Sequence, residues 1–453
     1  MYALLKPSAE SGNIKPSFRD HDEVRIEEPA LTHSLRRQLL NRHKRNFNWQ
    51  EGGPDSPVKY LDRDSVEYSL TQSAMNNSLE TRMAKMTLYR SLALQDKVWG
   101  GICQYATGNW QSPHYVMTMG NQAGCLRIYA LSYALWKNRL FRDAAIRIRK
   151  YLSRFLLSPV NAFYSGQDDR IRDCDAAGYY ALDEEQRLHF GVPATDTRIL
   201  TRENGWAIEA LACCHEFCND PESLQLATDA AEWILAHRKI GDGGFINNEQ
   251  LSYRLGDTLA MARAFLQLYR VSADPDWLNR AINAADFIAL HFYHRGGGYV
   301  PEINTRSSRH TGPGIDENLS LMRFANLLWY YSGMQRHRKM AKHCFRFLCR
   351  DEVATSRVEE TGILLAEQEY HEQPVRIMIL GQADDRDAQQ LHRTALDYHA
   401  WYKHLAWYSP DEAPVNAREI YYGDRAVAVV KHSFCKTTTL YDARSLENFL
   451  ANI

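Results

Sequence analysis

The chain has 453 residues, with 54 Lys and Arg against 55 Asp and Glu (net charge −1), and is 45% hydrophobic and 24% charged. These proportions are those of a soluble globular protein with room for a large core, and the balanced charge excludes the concentrated basic surface that nucleic acid requires. No apolar run approaches the roughly 18–20 residues that span a bilayer, and nine cysteines without a C-x-x-C pair suit reduced thiols in the cytoplasm.

Residues 1–55 are punctuated by Pro, Gly and charge and read as a largely irregular N-terminal arm. Met1 to Ser8 has no sustained apolar core and does not read as a signal peptide. Leu31 to Phe47 sets Leu35, Leu39 and Leu40 among Arg36, Arg37, Arg42, Lys44 and Arg45. It reads as a short basic amphipathic helix, a solvated arm packed on the domain surface, with a membrane or protein-partner anchor as the alternative.

Residues 56–371 are helical in pattern. Arg263 to Tyr269 and Met322 to Leu328 place apolar residues three and four apart. A short break follows each (Ser272 to Pro275, Tyr331 to Gly333), then a second helix. Asp274 before Pro275 is a start signal, because the carboxylate caps free amides and proline tolerates the first turn. Four aromatic turns recur: Trp99-Gly100-Gly101-Ile102, Ala162-Phe163-Tyr164, Gly243-Gly244-Phe245 and Gly297-Gly298-Tyr299. Each precedes a polar helix head: Asn121-Gln122, Glu203-Asn204-Gly205, Asp257-Thr258 and Asp316-Glu317-Asn318. Successive heads from Asn204 onward lie about 53 and 59 residues apart, one helical hairpin each. Repetition of this kind predicts a closed α/α toroid whose polar heads converge on one cavity. After residue 372 the texture changes. Val375 to Leu380 reads as a strand ending in the Gly381 turn, Asp384 to Tyr398 as a helix and Arg425 to Lys431 as a strand, giving a small C-terminal α/β appendage over 372–453.

A cavity of this kind directs attention to particular side chains. His114 follows a proline just before a polar head, and a ring that titrates near neutrality suits proton abstraction beside a carbonyl. Asp168 lies in a polar loop where a carboxylate partnered by Glu203, Asp257 or Glu317 would serve glycoside hydrolysis. The catalytic expectation is therefore His114, Asp168 and Glu317. The ligand-binding expectation is Tyr164, Gln167, Asp169, Glu203, Asn204, Trp206, Tyr253, Asp257, Asp316 and Asn318. At helix heads such acids and amides equally serve as caps. Cys213, Cys214, His215 and Cys218 form a metal-like cluster without a fourth outside ligand, and core thiols explain them better. No metal or cofactor is assigned. The 25 Tyr, 16 Phe and 10 Trp suit a hairpin core and a neutral polar ligand stacked on rings.

The ordered motifs resemble a known family. Trp99-Gly100-Gly101, Ser112-Pro113-His114-Tyr115, Ala162 to Asp169, Gly178-Tyr179-Tyr180, Arg202 to Trp206, Leu255 to Ala260 and Asp316-Glu317-Asn318 resemble the YyaL-type thioredoxin-domain-containing proteins, relatives of spermatogenesis-associated protein 20. Val375 to Asp384 and Ala426 to Cys435 resemble that family's C-terminal piece. The resemblance implies an (α/α)6 barrel of the six-hairpin glycosidase type, similar to that of N-acylglucosamine 2-epimerase. Two departures stand out. The family's N-terminal thioredoxin domain has no counterpart here, and its usual Pro-His-Phe-Glu-Lys reads Pro113-His114-Tyr115-Val116-Met117. The expected function is an enzyme of epimerase, isomerase or hydrolase type acting on a small carbohydrate-like or carbonyl-bearing molecule. The alternatives are a repurposed ligand- or partner-binding toroid and a tailoring enzyme of a biosynthetic pathway.

Overall fold

A computed structural model describes residues 28–247, 252–304, 312–357, 361–413, 425–432 and 436–453. Its helices are α1 His33–Arg45, α2 Arg63–Ala74, α3 Ser78–Ser91, α4 Met119–Trp136, α5 Arg139–Tyr151, α6 Ala176–Ala181, α7 Glu184–Phe190, α8 Thr201–Cys218 and α9 Pro221–Arg238. They continue as α10 Leu255–Ser272, α11 Pro275–His291, α12 Ile315–Ser332, α13 Gln335–Leu348, α14 Asp351–Ala354, α15 Thr361–His371, α16 Arg386–Asp397 and α17 Ala443–Leu450. Helices α2, α4, α8, α10, α12 and α15 pack side by side in that order, and α15 returns to α2. The ring is closed. Helices α3, α5, α9, α11 and α13 lie outside, each against the inner helix that precedes it.

Four inner helices are built to one plan. α4, α8, α10 and α12 are each 18 residues long. Each ends on a left-handed residue, Lys137, Asn219, Ala273 or Gly333, whose N–H bonds the carbonyl four residues back. That turn reverses the chain into the outer helix, where Asn138, Asp220 or Asp274 caps the start of α5, α9 or α11.

At the opposite end, the polar heads clamp the aromatic turns. The Gln122 side chain accepts from the Ile102 N–H (2.8 Å) and donates to its carbonyl (2.6 Å). Asn204 does the same for Phe163 (2.8 and 2.9 Å) and Asn318 for Tyr299 (2.7 and 2.9 Å). Thr258 accepts from the Phe245 N–H at 3.1 Å. A buried turn cannot leave its backbone groups unpaired, so one side chain satisfies them and fixes the loop to the next helix. Gly298, with φ of +72°, is required there: a Cβ would stand 2.8 Å from Asn318 Oδ1.

Within the N-terminal arm, the amphipathic helix expected over residues 31–47 forms as α1. Its Leu35 and Leu39, with Leu31 just before it, are buried, and it packs on α15, supplying the sixth outer helix. Its basic residues are partly spent inward. Arg36 bonds Glu367 through Nε and Nη2 (2.8 and 2.6 Å), and Arg42 donates to the Thr355 and Arg357 carbonyls. The segment Met1 to Ser8 and Cys435 lie outside the described residues.

The C-terminal region is a four-stranded mixed sheet in the order 403–408, 375–380, 427–432, 436–440. The first two strands are parallel, joined through α16, and the other pairs are antiparallel. It sits against the C-terminal ends of the inner helices. Lys403 Nζ reaches Glu216 of α8 at 3.0 Å with both side chains fully buried, and Leu405 N–H donates to Tyr331 of α12. Among the described residues, no helix is long and apolar enough to cross a membrane.

Candidate functional site

Each inner helix sends one charged side chain to the axis. These are Glu67 of α2, Arg127 of α4, Glu209 of α8, Arg263 of α10, Arg323 of α12 and Glu369 of α15. In the last five helices the residue is the eighth after the helix start. Arg127 holds both Glu67 oxygens at 2.7 and 2.8 Å and lies 3.8 Å from Glu209. Arg263 holds Glu209 at 2.7 and 3.0 Å and donates to Ser320 of α12 at 3.1 Å. Arg323 bridges Glu369 (2.7 and 2.8 Å) and Glu67 (2.6 Å). The circuit forms a floor across the bore. Burial alone would raise the Glu67 and Glu209 carboxyls, but the facing arginines overcome it and hold both below the usual carboxylate range.

Above this floor, toward the helix N-termini, opens a cavity of about 330 Å³. Its walls are Tyr60, Asp62, Arg63, Asp64, Trp206, Asp316 and Ser320, with the charged ring beneath. The Trp206 indole is 37% exposed and carries the Arg202 guanidinium over its face at 4.9 Å. Gly120 leaves room for that ring, since a Cβ there would stand 2.9 Å from it. A lateral cleft of about 580 Å³ adjoins and shares Tyr60, Asp62, Asp64 and Asp316 with the cavity. Asp64 is open to the cavity yet walled by protein. Its carboxyl is pushed above the ordinary value by burial and by the Asp62 and Glu67 charges, against the pull of Arg323 and Arg63. The lining counts four arginines (63, 127, 263, 323) and five acids (62, 64, 67, 209, 316), so the chamber is nearly neutral.

The residues singled out in the sequence separate into four groups. Trp206 and Asp316 line the cavity, and Asp316 is bound by Arg357 at 2.5 and 3.1 Å. Asp257 is buried in the first turn of α10. Burial first and Glu203 second push its carboxyl up to about 6, against Arg202 and Arg254. Asn204 and Asn318 are spent on the clamps, and the third bonds of their amides go to Leu200 and Gly314 carbonyls.

The remainder lie elsewhere. His114 belongs to a short strand, Ser112–His114, paired with Tyr105–Thr107, and its ring stacks on Tyr105 at 4.8 Å. Asp168 is turned to Arg170 at 2.6 Å, a bond that lowers its carboxyl below the ordinary value. Asp169 N–H donates to Asp168, and Gln167 is buried between Tyr151 and the Pro193 carbonyl. Tyr164 N–H bonds the Leu156 carbonyl, Tyr253 lies in a strand edge-on to Phe287, and Glu203 stands 3.9 Å from Arg202. Glu317 is half-buried beside Gly314. The structure therefore does not bring His114, Asp168 and Glu317 together at the axial cavity. Cys213, Cys214 and Cys218 are buried thiols, and His215 Nδ1 faces the Asp220 carbonyl. Among the described residues no group of three or more His, Cys, Asp or Glu is placed to hold a metal ion.

The ring residues and Asp64 were missed in the sequence. Their signal is a lone charge inside an apolar run, as in Met261-Ala262-Arg263-Ala264-Phe265, recurring at one depth in successive helices.

No protein-family model matches the sequence, and comparison with curated proteins gives no match. Solved structures do. The fold is similar to that of cellobiose 2-epimerase from Bacillus thermoamylovorans (12% identity, TM-score 0.54, 70% of this chain and 86% of that one). A sugar epimerase from a ruminal bacterium is similar at 14% identity and TM-score 0.55 (70% and 85%). Cellobiose 2-epimerase from Spirochaeta thermophila is similar at 13% identity and TM-score 0.54 (70% and 83%). At this identity the likeness establishes architecture: the chain folds as a six-hairpin (α/α)6 toroid with a small C-terminal α/β region.

Proposed function

We propose that the chain is an enzyme acting on a small, neutral, carbohydrate-like or carbonyl-bearing molecule held in the axial cavity, by proton transfer of the epimerase, isomerase or hydrolase type. The observation that carries this reading is the inequality of the cavity's carboxyls. The Asp64 carboxyl is raised above its ordinary value, while arginines hold those of Glu67 and Glu209 below theirs. Carboxyls whose environments drive them apart are what acid–base chemistry at neutral pH uses. The near-neutral lining favours an uncharged guest, and the partly exposed Trp206 offers an aromatic surface for a sugar ring. The sugar epimerases of similar fold support this class of substrate only at the level of architecture.

The test is a thermal-shift and turnover screen with aldoses, ketoses and disaccharides. At least one sugar raises the melting temperature of the wild type. Asp64→Asn keeps that rise but loses about 10²–10⁴ in turnover, and Trp206→Ala loses the rise. A wild type indifferent to every sugar defeats the proposal.

A second reading, a repurposed toroid that binds a ligand or partner without chemistry, is favoured by one observation. Val116 and Met117 stand where the resembled family carries Glu and Lys, and His114 is stacked on Tyr105. Kinship with that thioredoxin-domain-containing family remains part of this proposal, carried by motif order. So does residence in the cytoplasm, which the eight free thiols among the described residues support.

A further inference from the structure

Behind the wall of the lateral cleft runs an unbroken series of hydrogen bonds drawn from four helices or their caps. Glu80 of α3 meets His43 Nε2 of α1 at 3.0 Å. His43 Nδ1 meets Thr361 Oγ1 of α15 at 3.4 Å, and Thr361 Oγ1 meets Ser65 Oγ of α2 at 3.1 Å. Ser65 Oγ donates to Asp62 Oδ2, the cap of α2, at 2.5 Å. Glu80, His43 and Thr361 are buried, whereas Asp62, Ser65 and Thr361 border the cleft.

The donors and acceptors in this series admit two consistent arrangements. With Asp62 ionised, Ser65 donates to Asp62, Thr361 donates to Ser65, and His43 Nδ1–H donates to Thr361. Nε2–H still faces Glu80, so the ring carries both protons. With Asp62 protonated, every donor and acceptor have exchanged roles: Asp62 donates to Ser65, Ser65 to Thr361, and Thr361 to a bare Nδ1. A hydroxyl serves equally as donor and acceptor, so neither arrangement leaves a bond unmade. In passing from the first to the second, the His43 Nδ1–H, Thr361 O–H and Ser65 O–H bonds break and new O–H bonds form on Thr361, Ser65 and Asp62, so that the net change is one proton lost from Nδ1 and one gained by the Asp62 carboxyl.

We propose that this series is a proton relay that passes one proton between buried His43 and the Asp62 carboxyl at the cleft wall. Asp62 is the group that meets a ligand, and His43, Thr361 and Ser65 are positioning residues behind it. Glu80 is fitted to steady the charged ring. Burial would raise its carboxyl, yet the bonds from His43 and Ser69 keep it below the ordinary value, with Lys44 adding to them. The remaining neighbour is Tyr68, whose ring stands edge-on to His43 at 5.4 Å and whose hydroxyl feels Glu80 and Glu367. The use of the proton in turnover rests on the reading of the cleft given above; the relay itself does not. Asp62 lies two residues from Asp64 on the shared rim, so the relay would return a proton between turnovers to a carboxyl beside the raised one.

The experiment is nitrogen-15 histidine NMR on the full chain, which distinguishes a bare ring nitrogen from a protonated one and requires no substrate. The His43 signals are assigned by their disappearance in His43→Gln. In the wild type, the Nδ1 signal moves with pH in a step belonging to a carboxylate as well as in the step of the ring. In Asp62→Asn and in Thr361→Val, the carboxylate step is lost from the Nδ1 curve and the ring step stays. Persistence of that step in Asp62→Asn assigns it to Glu80 and overturns the proposal. Its persistence in Thr361→Val alone shows action through space, and a wild-type curve lacking it shows no coupling; either result also overturns the relay. Both substitutions retain the fold's local requirements, since Asn caps helices as well as Asp and Val matches Thr in shape. Unchanged thermal midpoints check this.

Discussion

The two ends of the bore are made from the same six helices and have opposite characters. At the N-terminal end the chain leaves space: polar heads clamp the aromatic turns, and the cavity between them is lined by groups of unequal acidity. At the C-terminal end space is filled. Trp401 and Tyr402 close over a void of about 80 Å³, and the buried Lys403–Glu216 pair, joined by Arg270 and Gln267, ties the sheet to α8 and α10. Charge at the sealed end is paired for cohesion. Charge at the open end is poised for exchange, and the ring of six separates the two regimes.

The largest effect should come from the boundary itself. Glu67→Ala leaves Arg127 and Arg323 without their shared carboxylate, and breaking a buried pair costs about 3–5 kcal/mol; urea unfolding at pH 7 measures it. At the sealed end, Lys403→Met strands Glu216 with the more distant Arg270, and a loss of about 3 kcal/mol is expected. Adding Glu216→Leu should recover most of that loss, because an apolar pair no longer has to bury charge. A double variant as unstable as the two single losses combined would show that the pair does not act as a unit.

At the open end the effect is comparable to that of Lys403→Met but depends on pH. The Asp257 carboxyl is raised from 3.8 to about 6 in the folded chain. Its contribution is therefore full below about pH 4 and is lost as pH rises through about 6, a decline on the order of 3 kcal/mol. Asp257→Asn should flatten unfolding free energy across that window, and an unaltered slope would assign the decline to other groups. The smallest effect belongs to the reversals at the sealed end. Ala273 holds φ of +58° where α12 has Gly333, so Ala273→Gly should stabilise by about 0.5–1 kcal/mol in thermal melts.

Much of the framework was legible because turns and caps act locally. Asn204 and Asn318 recur at hairpin intervals since each must satisfy one buried turn, and that recurrence announced the ring of helix pairs. The same logic explains why their assignment to a ligand does not follow from the repeat: each amide is fully buried and has spent both N–H donors on protein carbonyls. Leu35 and Leu39 announced a helix, but its place as the sixth outer helix was obscured by charge. A stretch as basic as Arg36 to Arg45 reads as solvated, and nothing local reveals that Arg36 and Arg42 find partners more than 300 positions away. His114 was drawn toward the cavity by its motif, whereas strand pairing with Tyr105 turned it aside. Asp64 is an acid in the first turn of α2 with no local mark of a site. Glu67 is one turn away on the same helix, but only closure of the ring brings Arg323 of α12 beside it, and closure is a long-range property.

The order of charges around the floor has a final consequence. Read by helix from α2 to α15, it runs Glu, Arg, Glu, Arg, Arg, Glu, so the two neighbouring arginines lie on α10 and α12 and the two neighbouring glutamates on α15 and α2. A strictly alternating hexagon would cancel its own field at the centre; this one does not. The floor is polarised across its plane, from an electropositive arc at Arg263 and Arg323 to an electronegative arc at Glu369 and Glu67. An uncharged guest with hydroxyls at one edge and a carbonyl at the other would be rotated into a single heading before any specific contact is made.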